Sequence, residues 1–121
     1  MYKYRATITE VYDGDTVTAE IDLGFNIKFT EKLRLYGINA PELRGETKSD
    51  GEKSRDYLRA MILGKVVEIE TIKDKKEKYG RYLAKIWLSE TTEENKFVSN
   101  TQKIFINESM VFKGFAKEYL L

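Results

Sequence analysis

The sequence contains no cysteine and no histidine. Without cysteine there can be no disulfide, no thiolate metal site and no cysteine nucleophile. Without histidine the most common general base and the most common zinc ligand are missing, so acid–base chemistry would have to use Asp, Glu, Lys or Tyr. Any metal would have to be held by oxygen atoms, which favours a hard cation such as calcium or magnesium.

Long apolar runs are also absent. No window approaches the roughly 20 apolar residues that span a bilayer, and residues 1–5 contain no apolar stretch of the signal-peptide type. We therefore expect no membrane partner and, unless a leader precedes this sequence, a cytoplasmic location. No heptad pattern indicates a partner helix, so we expect a monomer.

Charge of one sign is the third missing feature. The 21 Lys and Arg residues are balanced by 20 Asp and Glu residues, which gives a net charge of +1. Proteins that bind nucleic acids usually carry a plain basic excess. If this chain binds phosphates, its positive charge must therefore be concentrated at one place.

What the sequence does contain suits one domain covering residues 1–121. A hydrophobic fraction of 41% is enough for one packed core. Alternating apolar residues predict strands, and apolar residues at helical spacing predict helices. In chain order we predict strands over residues 4–12, 16–23 and 27–36, a helix over 52–63, strands over 66–72 and 83–88, a polar hairpin loop over 89–102, and a short helix capped by Asn107 and ended by Gly114.

This order, β-β-β-α-β-β-α, is that of an OB-fold. An OB-fold is a five-stranded β-barrel, here with a helix between the third and fourth strands. Such barrels often bind oligonucleotides, but a fold alone does not establish an activity. The function must therefore be sought in particular side chains.

Three short clusters carry side chains suited to phosphate chemistry. They are residues 13–16 (Asp-Gly-Asp-Thr), residues 34–42 (Arg-Leu-Tyr-Gly-Ile-Asn-Ala-Pro-Glu) and residues 78–81 (Lys-Tyr-Gly-Arg). Each also has an ordinary explanation, because Asp-Gly is a common hairpin turn, proline often follows a strand end, and a charged segment with glycine often forms a solvated turn. Singly, none of the three establishes a function.

Together the clusters resemble the staphylococcal nuclease (thermonuclease) family. The Asp-Gly-Asp-Thr turn is similar to that family's first metal-binding segment, residues 34–42 resemble its Arg…Asp-Thr-Pro-Glu segment, and residues 79–81 resemble its Tyr-Gly-Arg. Further likenesses are Gly-Glu-Lys-Ser at 51–54, Asn-Glu at 107–108 and Gly-Phe-Ala-Lys at 114–117. The resemblance covers nearly the whole chain and implies a metal-dependent nuclease acting on DNA, RNA or both.

The resemblance implies a site for one calcium ion. Asp15 corresponds to a direct ligand, and the Ala40 carbonyl would be a backbone ligand. Asp13 would support the ion through a water molecule. Asn39 occupies the position of a second ligand where the family usually has aspartate. An amide oxygen can bind calcium but brings no negative charge, so we expect weakened calcium binding unless another group compensates.

The same resemblance assigns the residues that act on the substrate. Arg34 and Arg81 correspond to the two arginines that hold the target phosphate, because guanidinium groups present paired donors to phosphate oxygens. Glu42 corresponds to the glutamate that orients or deprotonates the attacking water, and a carboxylate is the natural base when histidine is absent. Lys78 and Tyr79 correspond to flanking residues that contact the nucleotide.

By resemblance, attack breaks the bond to the 5′ oxygen, leaves 3′-phosphate ends and prefers single-stranded or frayed substrate. Two alternatives stay open: a catalytically weak or inactive module that binds nucleic acid or protein, and a structural barrel that does neither. Retention of Arg34, Glu42 and Arg81 favours the enzyme. Relatives often continue into a further C-terminal helix, so we expect this chain, which ends at Leu121, to be a minimal form.

Overall fold

A computed structural model of the chain describes residues 2–76, 80–90 and 102–119. The described strands are β1 (Tyr2–Asp13), β2 (Thr16–Asp22), β3 (Lys28–Leu35), β4 (Ile38–Asn39), β5 (Val66–Lys76), β6 (Tyr82–Glu90), β7 (Gln102–Phe105) and β8 (Lys117–Glu118). The described helices are α1 (Lys48–Ile62), which follows a 3-10 turn over Gly45–Thr47, and α2 (Ile106–Phe112).

Five of the strands close into a barrel. Antiparallel pairing gives the order β3-β2-β1-β5-β6, and a parallel pairing between β3 and β6 closes the ring. β7 extends the sheet beyond β6, and β4 and β8 form a separate two-stranded sheet. The predicted OB-type barrel, with a helix between its third and fourth strands, is confirmed.

The seam that closes the barrel is short. Its three residue pairs are Leu33 with Tyr82, Arg34 with Leu83 and Leu35 with Ala84. The Tyr36 amide continues the seam by donating a hydrogen bond to the Ala84 carbonyl oxygen at 2.9 Å. Because Arg81 directly precedes β6, the seam brings two arginines that are distant in the sequence to the same end of the barrel.

The hydrophobic core fills the barrel and the space under the two helices. The alternation that predicted the strands places every second side chain inside. The largest fully buried apolar side chains are Ile8, Val17, Leu33, Leu35, Ile69 and Ile86 from the barrel, Leu58 and Ile62 from α1, and Ile106 and Met110 from α2. In the part of the chain that the structure describes, no helix is both long enough and apolar enough to cross a membrane.

Several element boundaries differ from those predicted. α1 begins at Lys48, four residues before the predicted start, because the polar stretch after the 3-10 turn continues directly into the helix. β4 and β8 have two residues each, which is too short for an alternating pattern to reveal. β7 was also not predicted. The predicted loop over residues 89–102 lies largely outside the described residues.

The predicted role of Asn107 as a helix cap is wrong. Asn107 lies inside α2, whose described start has no side-chain cap. Its side chain is buried, at 2% exposure. Its Oδ1 accepts a hydrogen bond from the Ile86 amide at 2.9 Å, and its Nδ2 donates to the carbonyl oxygens of Tyr36 at 2.9 Å and Ala84 at 3.0 Å. The amide therefore ties α2 to β6 and to the end of β3.

Through small residues, α1 packs closely against the turn that precedes β2 and against the segment that follows β4. Gly51 and Ser54 are buried on the inner side of the helix. A Cβ atom on Gly51 would lie 2.5 Å from the Glu42 carbonyl oxygen, and one on Gly14 would overlap Ser54 Oγ and lie 2.7 Å from the Ala40 Cβ. The helix thus fixes the turn after β1 and the segment after β4 against each other.

Replacing Gly51 by alanine is expected to destabilise the protein, although alanine is the better helix former by about 1 kcal/mol. The added methyl group would meet the Glu42 carbonyl oxygen, and overpacking of this kind typically costs about 1–3 kcal/mol. Urea denaturation followed by circular dichroism should give a lower midpoint. The control is Ala60→Gly at an exposed α1 position, which should lose only helix propensity. A raised midpoint for Gly51→Ala would contradict the packing argument.

Candidate active site

Asp15 is the centre of the site. It lies buried at the turn between β1 and β2. Its Oδ2 accepts a hydrogen bond from the Ala40 amide at 2.8 Å and pairs with Arg34 Nη1 at 2.9 Å, while its Oδ1 accepts from the Thr16 hydroxyl at 3.1 Å. Burial alone would raise the pKa of Asp15, but the hydrogen bonds from Ala40 and Asp13 and the charge of Arg34 together hold that pKa below its usual value. This carboxylate therefore stays ionised.

The pKa of Asp13 is shifted in the opposite direction from that of Asp15. Its Oδ1 accepts a hydrogen bond from the Asp15 amide at 3.0 Å. Burial first, and the neighbouring Asp15 charge second, raise the pKa of Asp13 to about 6. The two carboxylates of one turn thus repel each other, and a cation bound between them would relieve that repulsion.

Arg34 reaches the same centre from the end of β3. Besides its ion pair with Asp15, its Nη2 donates to the Ile38 carbonyl oxygen at 3.0 Å and lies 3.4 Å from Asn39 Oδ1. The Tyr119 ring lies over the guanidinium, 6.0 Å from its central carbon to the ring centroid. Arg34 is therefore buried and held in one orientation by charge, hydrogen bonds and an aromatic ring.

Arg81 joins the site through a threonine. Its Nη1 donates to Thr16 Oγ1 at 3.0 Å, and the Thr16 hydroxyl in turn donates to Asp15. One chain of contacts therefore runs from Arg81 through Thr16 and Asp15 to Arg34. The structure brings the two predicted arginines to the predicted ligand Asp15 at one end of the barrel.

Asn39 and Ala40 are held beside Asp15 by the small sheet of β4 and β8. Asn39 pairs with Lys117 across this sheet, and the Tyr119 amide donates to the Gly37 carbonyl oxygen at 2.8 Å. The Ala40 amide is bound to Asp15, as described above. The segment from 117 to 119 therefore supports the predicted ligand segment from behind.

The Glu42 carboxylate does not contact the Asp15 centre. Its side chain is 71% exposed and pairs with the still more exposed Arg44, whose Nε lies 3.3 Å from Glu42 Oε2. The backbone of Glu42 is well fixed, because its carbonyl oxygen accepts from the Thr47 hydroxyl at 2.9 Å and abuts Gly51. The backbone position is thus set by the fold, while the carboxylate lies at the surface.

The oxygen atoms near Asp15 suit a hard cation. Asp15 Oδ2 and Asn39 Oδ1 both converge on the Arg34 guanidinium, and the Ala40 backbone adjoins the same carboxylate. Calcium accepts carboxylate, amide, carbonyl and water oxygens together. Among the described residues no three Asp or Glu side chains gather at one point. The donors therefore fit calcium in kind, with less negative charge than three carboxylates would supply.

Some residues of the site had no predicted role, and some predicted site residues lie outside the part of the chain that the structure describes. Lys78 and Tyr79, predicted to contact the nucleotide, lie outside the described residues. Thr16 was part of a motif but had no predicted role, since a threonine after a turn is common in strands. Lys117 was part of a family likeness, but neither it nor Tyr119 had a predicted role, because only the pairing of β8 with β4 brings them to the site.

Known proteins resemble this chain along most of its length. The model of the family described as Staphylococcal nuclease homologue matches residues 32–120. A thermonuclease of Staphylococcus hyicus is 28% identical over 113 residues, covering 91% of this chain and 56% of the relative. An uncharacterised protein of Methanocaldococcus jannaschii is 28% identical over 139 aligned residues, covering 97% of this chain and 60% of the relative. A thermonuclease of Staphylococcus intermedius is 28% identical over 86 residues, covering 69% and 48%. The chain thus spans about half to three-fifths of the length of these curated relatives.

Proposed function

Because the chain belongs to the family of staphylococcal nuclease homologues, we propose that it is a calcium-dependent nuclease that hydrolyses phosphodiester bonds in DNA, RNA or both. The observation that carries the proposal is that Arg34 and Arg81 reach the same buried carboxylate, one directly and the other through a hydroxyl. Two guanidinium groups can bind an anion, and the cluster of oxygen atoms beside them can hold a metal cation next to that anion. A phosphodiester is such an anion.

In the proposed reaction the two arginines bind the oxygens of the target phosphate. A phosphodiester is negatively charged and repels an attacking hydroxide, so the reaction requires neutralisation of the phosphoryl oxygens. Guanidinium groups supply forked donors that a lysine cannot reproduce. Arg34 is already oriented by Asp15 and the Ile38 carbonyl oxygen. Little conformational entropy of its side chain therefore remains to be lost when the phosphate binds.

Glu42 is the proposed base for the attacking water. It would accept the proton that the water loses as the new P–O bond forms, while the bond from phosphorus to the 5′ oxygen breaks, the 5′ oxygen takes up a proton from solvent, and a 3′-phosphate end remains. Its present partner Arg44 is exposed, and exposed ion pairs are weak. Exchange of that partner for a water molecule is therefore inexpensive, and Glu42 follows the proposed ligand residue Ala40 by two residues in the chain.

The calcium ion would be held by Asp15, Asn39 Oδ1 and the Ala40 carbonyl oxygen, with Asp13 acting through water. When bound, it would add positive charge beside the phosphate and help to order the reacting groups. All of these proposed ligand atoms are oxygens, in keeping with the absence of cysteine and histidine. The ion would also offset the repulsion between the two carboxylates of the turn.

The direct test is cleavage by the purified protein. Denatured DNA and RNA are incubated with calcium and, separately, with a chelator, and the product ends are identified. We expect 3′-phosphate ends, loss of cleavage on chelation and loss of cleavage in Glu42→Ser. The matched control is Glu46→Ser, an exposed glutamate in the neighbouring 3-10 turn. Binding without cleavage would instead indicate a non-catalytic module, and neither binding nor cleavage would indicate a structural barrel.

Replacing Asn39 by aspartate is expected to tighten calcium binding by about tenfold. The new carboxylate would add a negative charge within the ligand cluster, and a close charge pair contributes on the order of 1–4 kcal/mol at effective dielectric constants between those of water and a protein surface. Calorimetric titration with calcium, without nucleic acid, measures the change. Asn26→Asp, in the turn at the opposite end of β2 and β3, is the control. An unchanged affinity would count against Asn39 as a ligand.

A further inference from the structure

A cavity of about 630 Å³ opens next to the site, on the outward face of β1, β2 and β3. Asp13, Thr16 and Arg81 form its end at the site, and Tyr12 and Lys32 line it further out. The proposed reaction uses neither Tyr12 nor Lys32. The cavity is continuous with the proposed phosphate position, so a substrate chain bound there would extend into it.

Lys32 repeats the position of Arg34 one step earlier on β3. Side chains two residues apart on a strand share a face and lie about 7 Å apart. Across the β2–β3 ladder, Arg34 pairs with Thr16 and Lys32 pairs with Thr18. Thr16 is the residue that links Arg81 to Asp15. Lys32 is therefore offset from the proposed phosphate position by a separation of the order of one nucleotide in an extended strand.

Tyr12 offers an aromatic ring beside this row. It precedes Asp13 on β1 and is 71% exposed, so the core does not use its ring. Nucleobases stack on such rings without regard to base identity, because every base has a π-face. A ring next to a phosphate-binding arginine and a lysine is the combination found in sites for single-stranded nucleic acid.

The cavity is lined by both cationic and acidic side chains. Lys32, Arg44 and Arg81 line it against Glu10 and Asp13, in a chain whose net charge is only +1. Arg44 is itself paired with Glu42, so Lys32 is the cation that the proposed subsite uses. Glu10 stands opposite Thr18 on the β1 side, so the positive side of the cavity is the one that continues from Arg34.

We infer that this face is a subsite for the nucleotide adjoining the scissile phosphate, with its base stacked on Tyr12 and its phosphate paired with Lys32. The inference deepens the proposed function and rests on it for the position of the scissile phosphate. A base inside a duplex is stacked on both faces and paired along one edge, so an unpaired nucleotide reaches Tyr12 at a much lower cost in free energy. The subsite therefore selects single-stranded substrate.

Binding is tested first, with a chelator present so that nothing is cut. Fluorescence anisotropy with a labelled oligothymidylate should give a Kd that rises about 5- to 100-fold in Tyr12→Ala and returns toward the original value in Tyr12→Phe. Lys32→Gln should raise Kd and reduce the salt slope by roughly 0.7, the value for one phosphate contact in a single strand. The controls are Phe25→Ala, a 97% exposed ring at the far turn, and Lys28→Gln at the far end of β3. Equal Kd values for Tyr12→Ala and Phe25→Ala would overturn the inference, as would no binding by the unaltered protein.

Kinetics with calcium separate the subsite from the nuclease itself. Tyr12→Ala should raise KM for the oligonucleotide and leave kcat within about twofold, because stacking is the same before and during the reaction. If the unaltered protein binds through Tyr12 but never cuts, the subsite stands and the proposed nuclease falls. If it cuts and Tyr12→Ala leaves both KM and Kd unchanged, the nuclease stands and the subsite falls.

Discussion

Replacing Arg81 by alanine is expected to lower kcat/KM for denatured DNA by about 10²- to 10³-fold. One preorganised donor to the charge that develops in the transition state typically contributes a factor of this size. Arg81 meets the site through the Thr16 hydroxyl, so its guanidinium lies next to the Asp15 centre. Arg81→Lys should recover only part of the loss, because an ammonium group lacks the forked donors.

Steady-state kinetics and urea denaturation are measured together, so that lost activity is not mistaken for lost fold. The matched control is Arg55→Ala on α1, an arginine whose guanidinium pairs with Asp56 and which has no proposed part in the reaction; its activity should be unchanged. Retention of more than about one-tenth of the original kcat/KM by a folded Arg81→Ala protein would contradict the role proposed for this arginine.

Replacing Asn107 by alanine is expected to lower the free energy of unfolding by about 3–5 kcal/mol. The Ile86 amide and the Tyr36 carbonyl oxygen would each lose the partner that the side chain provides, and a buried group left without a partner costs about 1–3 kcal/mol. The Ala84 carbonyl oxygen keeps its bond from the Tyr36 amide. Because small domains have only about 5–15 kcal/mol in total, urea denaturation should show a protein close to its stability limit. A loss below about 1 kcal/mol would contradict the bridging role.

Asn107→Asp gives a pH-dependent form of the same test. The aspartate would keep the acceptor for the Ile86 amide but would turn a second oxygen toward the Tyr36 and Ala84 carbonyl oxygens. Burial and that repulsion would raise its pKa in the folded state above the unfolded value of about 3.9. The folded protein would then bind more protons than the unfolded one, so the variant's stability should fall as pH rises through the folded pKa. A loss that is equal at pH 5 and pH 8 would argue against this contact.

The barrel could be predicted from the sequence because its strands are long. Alternation over residues 4–12 and 16–23 is a sustained signal, and the structure has strands at both places. β4 and β8 gave no such signal, since two residues cannot alternate in a recognisable way. Asn107 was misread for a different reason: its residue type favours a cap, and only the packing of α2 on β6 gives the side chain three partners in the interior.

The site was predictable where it depends on neighbours in the chain or on the ladder. Asp13 and Asp15 share one turn, and the barrel topology carries Arg34 to them. The direction of the Glu42 carboxylate was not predictable, because it depends on the exposed Arg44 side chain rather than on any repeating pattern. The cavity beside Tyr12 likewise emerges only when three strands are laid side by side.

The two arginines sit on either side of the barrel's shortest described pairing, the seam between β3 and β6. Local openings start where few hydrogen bonds must break, and an opening here would separate the guanidinium groups while the antiparallel strands stay joined. On heating, nuclease activity should therefore be lost at a lower temperature than the circular dichroism signal of the fold. An oligonucleotide bound by both arginines would bridge the seam and stabilise the folded state. The melting temperature should therefore rise with oligonucleotide concentration.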